Sequence, residues 1–141
     1  MNFKKRRFRS PKISTVIGRG TEIEGSVRFT GGLHIDGIIK GDVISDPEDV
    51  QATLTLSDHG SIQGNVKVSN AMLNGTVIGD VVASQRVELA PHARITGTVT
   101  YALLEMTMGA EVNGKLIHHE ELETPSRILD KEDSLMVESR T

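Results

Sequence analysis

A five-residue unit, apolar-x-Gly-x-apolar, recurs six times along the middle of the chain as IEGSV, IKGDV, IQGNV, VIGDV, ITGTV and VNGKL. Its glycines are Gly25, Gly41, Gly64, Gly79, Gly97 and Gly114, at intervals of 16, 23, 15, 18 and 17 residues. Two residues before them stand Ile23, Ile39, Ile62, Val77, Ile95 and Val112; two residues after them stand Val27, Val43, Val66, Val81, Val99 and Leu116. A further apolar column is expected eight residues before each glycine, at Ile17, Leu33, Leu56, Ala71, Leu89 and Met106. Alternation with period two marks short strands that turn one face inward. β-Branched Ile and Val dominate the inward positions, as a pleated, half-buried surface favours.

No unit this small can bury its own apolar face, so successive units must stack on one another. The fold expected is all-β, a parallel β-solenoid of about six coils with three short strands per coil and a triangular cross-section. Strands of successive coils lie about 4.8 Å apart, which gives a rod on the order of 30 Å long. Aromatic residues make up only 3% of the chain and Trp is absent, which suits a narrow interior filled by aliphatic ladders. None of the four prolines interrupts a ladder: Pro11 and Pro125 lie in the arms, Pro91 at an expected corner, and Pro47 in the longest interval. That interval exceeds its neighbours by about six residues, and its SDPED stretch (Ser45 to Asp49) is expected to loop out of the wall.

The two ends of such a rod expose unpaired backbone groups over an apolar layer, and strand edges of this kind template further pairing unless something blocks them. The first coil (VIGRGTEIEGSVRF) and the last (MTMGAEVNGKLI) both keep the repeat pattern, where soluble solenoids carry atypical caps. The expected polymerisation interface is therefore Ile17, Ile23, Val27 and Phe29 at one end and Val112, Leu116 and Ile117 at the other.

Charge divides the chain into three zones. Residues 1–20 hold seven cations and no acid, residues 21–117 six cations and twelve acids, and residues 118–141 three cations and seven acids. The organisation read from this is a disordered basic arm (1–12), a β-helix domain (13–118) and a disordered acidic tail (119–141). In the arm, Phe3 and Phe8 bracket Lys4, Lys5, Arg6 and Arg7, and Arg9 follows. Near an anionic leaflet each cation is worth about 1 kcal/mol, and each inserted Phe adds roughly 1.5–3 kcal/mol. One arm binds reversibly, but a polymer displaying many arms gains avidity. The partner expected is an anionic membrane surface rather than nucleic acid, because no basic stripe continues onto the acidic body. The basic start has no apolar stretch behind it to make a secretory signal, so the expected location is cytoplasmic.

Chemistry is sparse. With no Cys, thiolate metal sites and cysteine nucleophiles are excluded. Neither GxxxxGK[ST] nor GxSxG occurs, and Gly18-Arg19-Gly20 lacks the third glycine of a dinucleotide site. His59 and His92 share a repeat position but stand two coils apart, roughly 10 Å, too far to share an ion; Asn74 lies between them. Asp36, Asp42, Asp80, Glu88 and Glu111 are scattered without an acid/base pairing. No catalytic residue, cofactor or metal is expected. The rival reading is a left-handed hexapeptide β-helix enzyme, of acyltransferase or γ-carbonic-anhydrase type. Sixth-place apolar residues do recur at Ile17, Ile23, Phe29 and Ile35, and at Leu89, Ile95 and Tyr101, but that register fails at Gly41 and Thr107.

From about Ile13 to His118 the chain resembles the bactofilins, bacterial polymer-forming cytoskeletal proteins. The resemblance rests on the Gly-centred repeats, on VIGRGTEIEGSV (Val16 to Val27), on LHIDGIIKGDV (Leu33 to Val43) and on the order of basic arm, repeat core and charged tail. It implies a right-handed parallel β-helix, end-to-end polymerisation without nucleotide, and attachment to the inner face of the cytoplasmic membrane. It also implies a scaffold role that positions cell-wall enzymes or other envelope partners and so influences cell shape.

Overall fold

The computed structural model describes residues 13–119. The expected basic arm (1–12) and residues 120–141 of the expected acidic tail lie outside the described residues, while His119 N–H donates to Tyr101 O (2.7 Å). Within the described residues thirteen strands, all paired in parallel, wind into six coils, and each coil contributes one segment to each of three walls. The first coil holds β1 (Ile13–Ile17), β2 (Glu22–Glu24) and β3 (Val27–Phe29), and the second β4 (Gly32–Ile35), β5 (Ile38–Lys40) and β6 (Val43–Ser45). The third begins with β7 (Thr53–Leu56) and β8 (Ser61–Gln63). From there strands run through corners: β9 (Val66–Leu73), β11 (Val81–Leu89), β12 (Arg94–Met106) and β13 (Glu111–His118) each serve two or three walls, with β10 (Thr76–Ile78) between β9 and β11.

The register follows the repeat. On the second wall Ile23, Ile39, Ile62, Val77, Ile95 and Val112 stack in one column, and on the third wall so do Val27, Val43, Val66, Val81, Val99 and Leu116. The first-wall column differs from the expected one: Ile17 stacks on Ile35, Leu56, Leu73, Leu89 and Met106. Leu33 and Ala71 belong to a neighbouring inward column with Leu54, Val87 and Leu104. The cause is the corner between first and second walls. It has four residues in most coils, closed by bonds such as Thr21 N–H to Gly18 O (3.2 Å) and Gly60 N–H to Ser57 O (2.9 Å), but only two in the second and fourth coils (Asp36–Gly37 and Asn74–Gly75). From Ile35 to Val99 the interior columns are almost entirely sealed from solvent, each such aliphatic side chain contributing roughly 1.5–3 kcal/mol.

The corner between second and third walls has constant length and carries the repeat glycine. A Cβ built on Gly41, Gly64, Gly79, Gly97 or Gly114 would run into the carbonyl of the glycine one coil below. Beside this glycine column runs a ladder of polar side chains. Asp42 Oδ1 accepts from Asn65 N–H (3.0 Å), Asn65 Oδ1 from Asp80 N–H (3.1 Å), and Asp80 Oδ1 from Thr98 N–H (3.0 Å). Side chains thus satisfy backbone donors at a corner where the sheet ladder is interrupted.

The long interval departs from the wall later than expected. Ser45 is the last residue of β6 and is buried, so the insertion begins at Asp46. It is also tied down on both sides. Asp49 Oδ2 accepts from Gly31 N–H (2.9 Å), Asp49 O accepts from the buried Ser69 hydroxyl (2.8 Å), and Asn70 Nδ2 donates to Val50 O (3.1 Å) and Ala52 O (3.0 Å). Asp49→Ala, which removes a charged acceptor from a part-buried N–H, should cost about 1–3 kcal/mol. Urea unfolding of the variant, compared with the exposed control Glu48→Ala, checks this; equal midpoints would show that the staple carries no stability.

Candidate assembly surfaces

The rod has two unlike ends. In the first coil Ile17 and Phe29 are 7% and 9% exposed, and Ile23 and Val27 are partly buried. In the last coil the inward layer consists of Leu104, Met106, Val112 and Leu116, with Met106 46% and Leu116 43% exposed. Leu104 and Met106 were absent from the expected interface, although the column containing Met106 was visible in the repeat. Ile117 requires a correction: it pairs with Thr100, an outward position, because it directly follows the inward Leu116. Alternation puts neighbouring strand residues on opposite faces, so Ile117 lies on the outer third wall. Met108, at the last corner, is 92% exposed, which leaves the final coil as the most apolar rim of the rod.

The backbone at these ends follows a fixed direction. Gly25, Gly41, Gly64 and Gly79 each donate N–H to a carbonyl of the next coil: Lys40, Gln63, Ile78 and Thr96, at 2.9–3.0 Å. Outward residues do the reverse, as when Ile38 N–H donates to Thr21 O (2.9 Å) and Glu111 N–H to Ala93 O (3.0 Å). Since β13 pairs only with β12 among the described residues, the donors of Val112, Gly114 and Leu116 point off the end of the rod. The carbonyls of Glu24 and Ser26, which correspond to the acceptors Lys40 O and Asp42 O, point off the other end. Both ends are strand edges of mixed donors and acceptors over an apolar layer, the surface that pairs with another strand edge.

The outer walls are polar. Ion pairs join successive coils near both ends: Glu22 with Lys40 (3.0 Å), Arg86 with Glu105 (2.9 Å) and Arg94 with Glu111 (3.7 Å). Exposed pairs of this kind contribute little each. The Lys40 ammonium is held above its ordinary value by the hydrogen bond and charge of Glu22. Asp36 is held below the usual carboxylate value chiefly by the Ser57 hydroxyl, with His34 and His59 also acting against the opposing effect of burial.

Shallow grooves mark the surface of the described residues. One of about 300 Å³ is lined by Arg19, Glu22, Asp36 and His59, and one of about 400 Å³ by Arg28, Phe29, Ile44, Asp46 and Pro47. Beside the first groove His34 Nε2 lies 3.4 Å from Asp36 Oδ2, and the Ser57 hydroxyl accepts from His59 N–H (3.2 Å). His59 and His92 occupy corners of the third and fifth coils, and Asn74 Oδ1 between them accepts from His92 N–H (2.9 Å). Among the described residues no group of three His, Cys, Asp or Glu could hold a metal ion, and no helix is long and apolar enough to cross a membrane. The expected membrane-binding residues Phe3 to Arg9 lie outside the described residues.

A family model described as "Bactofilin: Polymer-forming cytoskeletal" matches residues 15–117, which run from β1 to within one residue of the end of β13. The chain belongs to the bactofilin family. It is similar to bactofilin BacO of Myxococcus xanthus (strain DK1622), 27% identical over 103 residues that cover 73% of this chain and 78% of that one. It is also similar to bactofilin BacP of the same organism, again 27% identical over 103 residues, which cover 73% of this chain but only 41% of that relative. No solved structure matches. For a bactofilin the described region is thus the family domain itself, and the rod ends are its own first and last coils. The family is cytoskeletal and structural, and its model is described as polymer-forming.

Proposed function

We propose that this bactofilin is a non-enzymatic scaffold that polymerises end to end without nucleotide. In this reading its filaments lie on the inner face of the cytoplasmic membrane, held by the arm Phe3–Arg9, and position cell-envelope or cell-shape machinery. One observation carries the reading: both terminal coils keep the inward apolar columns and an open strand edge, with no lid over either among the described residues. Stacking one rod on another satisfies those edges and removes Met106 and Leu116 from water. The hexapeptide enzyme is the weaker reading, because successive coils advance by 16, 23, 15, 18 and 17 residues along the second wall, where three equal hexapeptides would hold a constant interval. Electron microscopy of the purified full chain without nucleotide tests the polymer: filaments or sheets are expected, and compact trimers would favour the enzyme.

Membrane attachment is tested separately. Wild-type polymer should pellet with anionic liposomes, and Phe3→Ala/Phe8→Ala should weaken that binding, since each inserted ring is worth roughly 1.5–3 kcal/mol. Pelleting that is unchanged by the double substitution, and undiminished by neutral liposomes, would remove the arm from the account.

A further inference from the structure

The chain contains two Asn-Gly dipeptides, Asn74–Gly75 and Asn113–Gly114. In Asn-Gly the glycine nitrogen meets no side chain of its own residue, and so it can reach the asparagine Cγ more easily than in any other Asn-x pair. The two copies sit in opposite surroundings. Asn74 lies in a two-residue corner at mid-rod, where its N–H donates to Leu56 O (2.8 Å) and its Oδ1 accepts from His92 N–H (2.9 Å). Gly75 O accepts from Arg94 N–H (2.9 Å), and the glycine is buried with its α-carbon nested against Ser57 and Gly60 of the coil below. Asn113 and Gly114 are both exposed in the last coil. Among the described residues no hydrogen bond holds the Asn113 side chain, and the Gly114 N–H points off the rod where those of Gly25, Gly41, Gly64 and Gly79 have a carbonyl to meet.

We propose that Asn113 is a site of spontaneous deamidation, driven by attack of the Gly114 nitrogen on its side-chain amide. The nitrogen loses its proton to water, an N–C bond forms to Asn113 Cγ, the bond to the amide nitrogen breaks, and ammonia leaves. Water then opens the resulting succinimide at either carbonyl, giving aspartate or isoaspartate; no oxidant, metal or enzyme takes part. Cyclisation requires the strand to leave its extended form. Local opening is least costly in a terminal element and approaches the global unfolding cost in the middle of a core, which separates Asn113 from Asn74. Aspartate at 113 adds a negative charge beside the end layer. Isoaspartate adds a methylene to the main chain, which displaces Leu116 relative to Val112. Either product marks the open end chemically, and a second rod stacked there shields the site. This last point rests on the proposed end-on polymerisation; the modification itself does not.

The test is peptide mapping by mass spectrometry of the full chain incubated at mildly alkaline pH, with supernatant and pelleted polymer analysed separately. In the supernatant, deamidation at Asn113 should outpace that at Asn74 by at least roughly tenfold, the factor conferred by about 1.4 kcal/mol of extra opening cost. Asn113→Gln should abolish the new product without changing Asn74. Equal rates at the two sites, or an inert Asn113 in the supernatant, would overturn the proposal while leaving polymerisation untouched. Conversion at Asn113 that is as fast in the pellet as in the supernatant supports the modification and counts against stacking through this end.

Discussion

Gly97→Ala is expected to cost the rod about 3–5 kcal/mol, from strain at a φ of 142° together with overpacking against a carbonyl that cannot retreat. The added methyl group would meet the Gly79 carbonyl and Asp80 Oδ1, so the ladder bond from Thr98 N–H to Asp80 is disturbed as well. Gly25 provides the control. It occupies the same column with a φ of 128°, but among the described residues no coil precedes it and nothing lies near its Cβ position. Gly25→Ala should therefore cost only the backbone strain, about 1–2 kcal/mol. Urea unfolding of both variants measures the difference. Equal losses would mean that the close approach of successive coils is not what demands glycine at this corner.

Leu116→Arg and Met106→Arg should abolish filaments while leaving the subunit folded. Both side chains are nearly half exposed in the isolated rod, so each change should cost the fold less than about 1 kcal/mol. In a stacked rod the same arginine would be an unpaired charge in an apolar layer. Together with the lost leucine or methionine burial, this weakens the contact by about 3 kcal/mol or more, roughly a hundredfold in critical concentration. Phe29 is a poorer test position than the sequence suggests. It is 9% exposed, so Phe29→Arg damages the interior of the subunit and confounds folding with assembly. Ile117→Arg is the discriminating companion, since that residue faces outward beside Thr100. Sedimentation of the three variants should show loss of pelletable polymer for the two inward residues and retention for Ile117→Arg. If all three pellet like the wild type, the last coil is not an assembly surface.

The second and third walls could be read from the chain without coordinates because the corner that joins them never changes length. Three residues, the middle one glycine, always separate the two inward columns, so spacing from Gly25, Gly41 or Gly79 reports register directly. On the first wall the expected column departs from the observed one at Leu33 and Ala71, because the corner to the second wall has two residues in the second and fourth coils and four in the others, and counting back from a glycine then lands on different columns. The polar ladder of Asp42, Asn65 and Asp80 leaves no apolar signal in the sequence. These residues follow the repeat glycine in the sequence, yet a search for apolar periodicity passes over positions whose role is to accept backbone hydrogen bonds. The length of the interval from Gly41 to Gly64 announces an insertion but not its first residue, and Ser45 closes β6 as a small buried residue. At the last coil Val112 and Leu116 are inward positions, while Ile117, next to Leu116, lies on the opposite face.

The stitched loop of residues 46–52 projects from one edge of one coil in six. In any fibre assembled from this subunit it acts as a fiducial bump. If every copy points the same way, bumps recur every six strand spacings, roughly 29 Å. If alternate copies are inverted, unequal gaps produce a period twice as long. Low-angle layer lines from oriented fibres, read beside the meridional strand reflection, would therefore report filament directionality from the position of a single seven-residue protrusion.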